Sequence, residues 1–192
     1  MNLGIFGGTF NPPHMGHLVV AERVREELRL NKVLFIPSAI SPHKQHKDLM
    51  DPACRMEMVR LALLRQECFE PSSIEIDRGG VSYTVETLER LRQDYPGDVL
   101  HLLIGMDNVE EFETWKSPEE IVNLAKVVVM TRPGFPSREV AGEVQRSFVF
   151  CQVPEIGISS SEIRKRVKEG KSIRFLVPKP VEAFIKYRGL YR

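Results

Sequence analysis

Apolar residues gather in six short runs: Leu3–Phe6, Lys32–Ile36, Ser73–Ile76, Val99–Ile104, Lys126–Met130 and Ser147–Cys151. Runs this short, rich in Val, Ile and Leu and mostly without polar alternation, predict strands covered on both faces. Between most of them the apolar spacing changes to the helical period. The predicted helices are His17–Leu30, Pro52–Arg65, Thr84–Asp94, Pro118–Leu124, Ser160–Glu169 and Val181–Arg188, several preceded by Ser, Asp or Pro as start signals. Strands alternating with helices predict right-handed βαβ crossovers and hence an α/β fold. The expected architecture is a doubly wound parallel sheet in a three-layer αβα, Rossmann-like sandwich, with a small C-terminal helical part. Ligands of such sheets lie at the carboxyl ends of the strands, where strand order reverses.

At 192 residues, 42% of them hydrophobic and 28% charged, the chain has material for one substantial core, and a single domain spanning 1–192 is expected. It has no internal repeat, low-complexity tract or linker-like segment. Pro37–Asp51 is the long segment without apolar periodicity; it holds Pro42, His43, Lys44, His46 and Lys47, and reads either as a binding loop or as a solvated basic connection. A net charge of +1 supplies no broad attraction to nucleic acid or anionic membrane, so neither is expected as a partner. Cys54, Cys68 and Cys151 are scattered and form no C-x-x-C pair, the pattern of reduced thiols. No apolar stretch reaches membrane-spanning length and no signal-type N-terminus is present, which leads to a cytoplasmic expectation. Nothing in the pattern marks an oligomeric state.

Chemistry enters at the first strand, which runs into Gly7-Gly8-Thr9-Phe10-Asn11-Pro12-Pro13-His14-Met15-Gly16-His17. The paired glycines are expected to let the backbone turn sharply and approach a ligand, and the helix that follows presents free N–H groups and a positive dipole end. His14 and His17, three residues apart, can face one point. Together these features describe a phosphate site. Both common phosphate loops fit poorly, since there is neither G-x-G-x-x-G nor a G-K-[ST] ending. Near the C-terminus, Ile158-Ser159-Ser160-Ser161-Glu162-Ile163-Arg164 places Ser159 three residues ahead of Glu162, a capping box. Ile163 and Val167 form the buried stripe of that helix, while Ser160, Arg164 and Lys168 share a face able to grip phosphate oxygens.

The two motifs resemble the signatures of bacterial nicotinate-nucleotide adenylyltransferases, members of the H-x-G-H nucleotidyltransferase superfamily. Pro42-His43-Lys44, Val81-Ser82-Tyr83-Thr84, Leu103-Ile104-Gly105-Met106-Asp107, Trp115 and Arg132-Pro133-Gly134 are similar to the family's internal motifs in order and approximate spacing. Asn11 stands where many members have Asp, and Ser161 where Thr is frequent. The resemblance implies condensation of ATP with nicotinate mononucleotide to nicotinate adenine dinucleotide and pyrophosphate, a step of NAD biosynthesis. It implies ATP contacts from Gly7, Gly8, Thr9, His14, His17, Ser159, Ser160 and Arg164, with His14, His17 and Arg164 as the catalytic group. It implies mononucleotide contacts from Thr84, Asp107, Trp115, Arg132 and Lys44, and magnesium carried mainly on the substrate phosphates. Trp115 also suits a core role, although its polar neighbours Glu113, Thr114, Lys116 and Ser117 favour the binding one. Alternatives are a superfamily relative with nicotinamide mononucleotide or phosphopantetheine as acceptor, and a non-catalytic nucleotide sensor.

Overall fold

The computed structural model describes residues 1–42, 49–131 and 144–192. Six strands, β1 (Asn2–Gly8), β2 (Lys32–Pro37), β3 (Phe69–Pro71), β4 (Val99–Gly105), β5 (Lys126–Thr131) and β6 (Val149–Gln152), form one sheet in the order β3-β2-β1-β4-β5-β6. Every neighbouring pair is parallel. This is the doubly wound order, and it reverses between β1 and β4, placing the crevice at their carboxyl ends. Helices follow as α1 (Met15–Glu27), α2 (Pro52–Ala62), α3 (Ile74–Arg78), α4 (Thr84–Asp94), α5 (Pro118–Leu124), α6 (Ser160–Lys168) and α7 (Lys179–Arg188).

Successive strand residues point to opposite faces and build two cores. Leu3, Ile5, Leu102, Ile104, Val127 and Val129 pack with Val85, Leu88 and Leu91 of α4 and Ile121 of α5. Phe6, Val33, Phe35, Leu103 and Val128 pack with Ala21 and Val24 of α1 and Val59 of α2. A third cluster joins Met58 and Ala62 of α2 to Ile163 of α6 and to Val181 and Ile185 of α7. The C-terminal helices are thereby fastened to the sheet through α2, whose opposite sides serve two cores. No helix among the described residues is long and apolar enough to cross a membrane.

Three expectations are corrected. Ser73–Ile76 is not a strand: the edge strand is Phe69–Pro71, and Ile74–Arg78 is the short helix α3. The alternation of Ile74 and Ile76 imitates a strand, but Pro71 has no N–H with which to extend the ladder, and Glu75 and Asp77 favour the first turn of a helix. The most buried residue of α3 is Glu75, 7% exposed, with Ile74 partly buried against the first core. The last strand starts at Val149, because Val144–Ser147 forms a 3-10 turn. Helix α1 starts at Met15 rather than His17, which makes His14 its N-cap residue and His17 its third residue.

Candidate active site

At the end of β1, Gly7 and Gly8 still pair with Ile36 and Pro37, so the glycines complete the strand and do not make its turn. Phe10 makes it, at φ 47°. Left-handed backbone costs a phenylalanine on the order of 1–2 kcal/mol, and here burial offsets it: the Phe10 ring, 2% exposed, meets Phe6 and Phe35 at centroid distances of 5.7 Å. Gly7 lines the cleft, and a Cβ there would meet nothing within 4 Å.

The chain then turns into α1, and the His14 and His17 rings stack with centroids 3.6 Å apart and planes 25° apart. Nδ1 of His17 accepts the His14 backbone N–H at 3.1 Å, which assigns the ring proton of a neutral His17 to Nε2. His14 is 7% exposed, and burial lowers its pKa to about 4, so its ring is neutral at pH 7. Its buried Nδ1 has no hydrogen-bond partner among the described residues. Gly16 accommodates this ring, because a Cβ there would lie 3.0 Å from Nδ1.

Helix α6 closes the cleft from the far end of the chain. Ser159 is its N-cap, accepting the Glu162 N–H at 3.2 Å. Ser160 Oγ donates to the Pro12 carbonyl at 2.8 Å, and Arg164 Nη1 donates to the Asn11 carbonyl at 2.9 Å. The two sequence motifs are thus bonded directly to each other. Tyr191, at the other end of the third core, donates its hydroxyl to Asn11 Oδ1 at 2.8 Å and holds the same loop from behind.

One cleft of about 880 Å³ collects the expected residues Gly7, Gly8, Thr9, His14, His17, Thr84, Asp107, Trp115, Ser159, Ser160 and Arg164. Thr84 begins α4, Asp107 lies in the 3-10 turn Met106–Asn108 after β4, and half-buried Trp115 rests on Phe112 with centroids 5.1 Å apart. Trp115 thus packs on the core and also lines the cleft. Lys44 and Arg132 lie outside the described residues, as do His43, His46 and Lys47. The N-termini of α1, α4 and α6 all open on the cleft, so their dipoles and free N–H groups converge there.

Sequence reasoning passed over Arg55 and Glu75, and named Ser82 and Gly16 only as members of motifs. Arg55 is fully buried, yet its position in phase with Met58, Val59 and Ala62 was a readable sign of an inward guanidinium. Burial raises the pKa of Glu75, opposed by hydrogen bonds from Thr87 and Ser82 and by the charges of Arg78 and Arg55. Its signal was hidden by the misread strand.

A cytidylyltransferase-like family model matches residues 5–166. A Thermus thermophilus protein assigned to the nicotinate-nucleotide adenylyltransferases is 43% identical over 192 residues, covering all of both chains. The Bacillus subtilis nicotinate-nucleotide adenylyltransferase is 39% identical, covering 98% of this chain and 97% of its own. In fold, the Plasmodium falciparum nicotinic acid mononucleotide adenylyltransferase complexed with NaAD superposes with TM-score 0.78 at 17% identity, over 99% of this chain and 97% of that one. From full-length identity joined to a shared fold, the chain belongs to the nicotinate-nucleotide adenylyltransferase family of cytidylyltransferase-like nucleotidyltransferases.

Proposed function

We propose that this protein transfers the adenylyl group of ATP to nicotinate mononucleotide, releasing pyrophosphate and forming nicotinate adenine dinucleotide, a step of NAD biosynthesis. The observation that carries the reading is the stacked pair His14 and His17, bonded through the Asn11–Pro12 loop to Ser160 and Arg164 in one cleft. A phosphate-monoester oxygen of the mononucleotide attacks the α-phosphorus; a P–O bond forms there while the bond to pyrophosphate breaks. The attacking oxygen is already anionic, so no general base is needed, and positioning with electrostatic stabilisation supplies the acceleration.

His17 donates from Nε2 and His14 donates from a neutral ring toward phosphate oxygens, where their N–H groups offset charge at the reacting phosphorus. Gly7, Gly8 and Thr9 let the triphosphate lie against the backbone. Ser159, Ser160 and Arg164 hold the departing pyrophosphate, the guanidinium bridging two oxygens. On the acceptor side, Trp115 stacks on the pyridine ring, Thr84 presents the N-terminus of α4, and Asp107 faces the ribose. Arg132 and Lys44 complete the mononucleotide site in this reading.

Magnesium fits the donor set in one way. Among the described residues no three His, Cys, Asp or Glu side chains gather as a cage, and the cleft offers imidazole, hydroxyl and guanidinium donors suited to phosphate. The ion would travel on phosphate oxygens and water and offset their charge.

Pyrophosphate release is the test, with purified protein, ATP, magnesium and either nicotinate or nicotinamide mononucleotide. The nicotinate acceptor is expected to be preferred, and His17→Ala to lower kcat/KM by roughly 2–4 kcal/mol in transition-state terms with the fold intact. Release with neither acceptor would remove the reaction; wild-type turnover in folded His17→Ala would remove the histidine from it.

A further inference from the structure

Buried polar groups run along the wall of the cleft from its Thr9 end to its Thr84 end. The Arg55 guanidinium donates from Nη1 to the Thr9 carbonyl at 2.8 Å, from Nη2 to the Ser38 and Ala39 carbonyls at 2.6 and 3.1 Å, and from Nε to the Met50 carbonyl at 2.9 Å. All of these acceptors are backbone oxygens on three separate segments. The Ala39 N–H, on the far side of the same peptide segment, donates to Ser82 Oγ at 2.9 Å. Two residues before Thr84, the Ser82 N–H also donates to the Ile40 carbonyl at 2.8 Å; the Glu75 carboxylate, whose pKa Ser82 and Thr87 both lower against burial, accepts from Thr87 Oγ1 through Oε1 at 2.8 Å. The Thr87 backbone N–H donates to the Tyr83 carbonyl at 3.3 Å, beside Thr84 at the start of α4. Arg55, Glu75, Ser82 and Thr87 are 0%, 7%, 7% and 2% exposed.

We propose that Arg55, Ser82 and Glu75 are positioning residues, a single buried strut that sets the distance between the Thr9 end of the cleft and the Thr84 end. This rests on the adenylyltransferase reading, in which those ends bind ATP and the acceptor. Arg55 does not line the cleft, whereas Thr9, Ser38, Glu75, Ser82, Tyr83 and Thr84 do, so the guanidinium acts through the segments it grips. Desolvating a guanidinium is costly, and here it is offset by hydrogen bonds to four backbone carbonyls. What an apolar side chain could not do is fix carbonyls of three segments in one rigid fork, and a lysine lacks the planar donor set to do so. In-line attack between two bound substrates is sensitive to this spacing, because a misplacement of about 1 Å costs on the order of a hundredfold in rate.

Ser82→Ala removes one oxygen from the middle of the strut and is the primary test, with Arg55→Lys beside it and Glu75→Gln held as a second variant should Ser82→Ala fail to fold. In the folded Ser82→Ala protein, kcat or acceptor KM is expected to worsen about tenfold or more, while the Kd for a non-hydrolysable ATP analogue stays within about twofold. Because the residues act as one unit, Ser82→Ala with Arg55→Lys should cost little more than the worse single variant. Kinetic constants within twofold of wild type in a folded Ser82→Ala protein, or fully multiplicative losses in the double variant, would overturn the strut. Wild-type protein that binds the ATP analogue but releases no pyrophosphate would instead overturn the adenylyltransferase reading, leaving the strut to be judged by acceptor Kd in the same variants.

Discussion

At Gly16 one missing methyl group sets the histidine pair. A Cβ would stand 3.0 Å from His14 Nδ1 and 3.2 Å from its Cε1, so the ring must move if the methyl is added, and its stack on His17 moves with it. The middle glycine of H-x-G-H is therefore a matter of space rather than of backbone freedom. Gly16→Ala sits inside α1, where alanine is the better helix former by roughly 1 kcal/mol. Stability should hold or rise while kcat/KM falls about tenfold or more; urea unfolding and steady-state kinetics on one preparation check both, and full activity would show that the ring finds another productive position. His14 and His17 were legible from their three-residue spacing in the chain. Gly16's reason was not, since the close contact exists only once His14 has folded back over the helix start.

Helix α6 combines two functions that local sequence cannot separate. Ser159 caps it, Ile163 anchors it at 0% exposure, and Ser160 and Arg164 bond to the loop before α1. Replacing the cap by alanine costs about 1 kcal/mol, whereas Asp caps as well as Ser. Ser159→Ala should thus lower the urea midpoint, and Ser159→Asp should preserve it yet, on the proposed reading, weaken ATP binding, because a carboxylate there would repel phosphate. If Ser159→Asp bound ATP normally, the helix start would be structural only. The expected bounds of α4 and α5 agree with the structure because their start signals and apolar stripes are local. The strand expected at Ser73–Ile76 failed because Pro71 and the acidic first turn outweigh the alternation, and the inward place of Glu75 depends on the α4 residue Thr87 bonded to it. Two isoleucines in alternation could not reveal that.

For the whole molecule, burial of His14 couples stability to pH. Its native pKa of about 4 lies below the ordinary value of 6.5, so the unfolded chain takes up a proton that the native state refuses. The His14 contribution is complete above pH 6.5, declines as pH falls, and is gone below about 4. Between pH 7.5 and 5 it should shrink by about 2 kcal/mol. Glu75 acts in the opposite sense: burial raises its pKa, so its own contribution is lost as pH rises. The comparison must therefore be between wild type and His14→Gln, whose unfolding free energies should differ in their pH slopes across this range. Parallel slopes would mean that His14 is solvated in solution. The sequence by itself determined the parallel α/β sandwich, its crevice, and most of the residues around it, because periodicity, caps and the two motifs are read over a few neighbouring positions. Tertiary structure alone decided that Phe10 rather than a glycine makes the turn, that Glu75 is buried in the wall of the cleft, and that Asn11 joins Arg164 to Tyr191. Those outcomes depend on contacts between residues far apart in the chain, where packing and desolvation outweigh local preference.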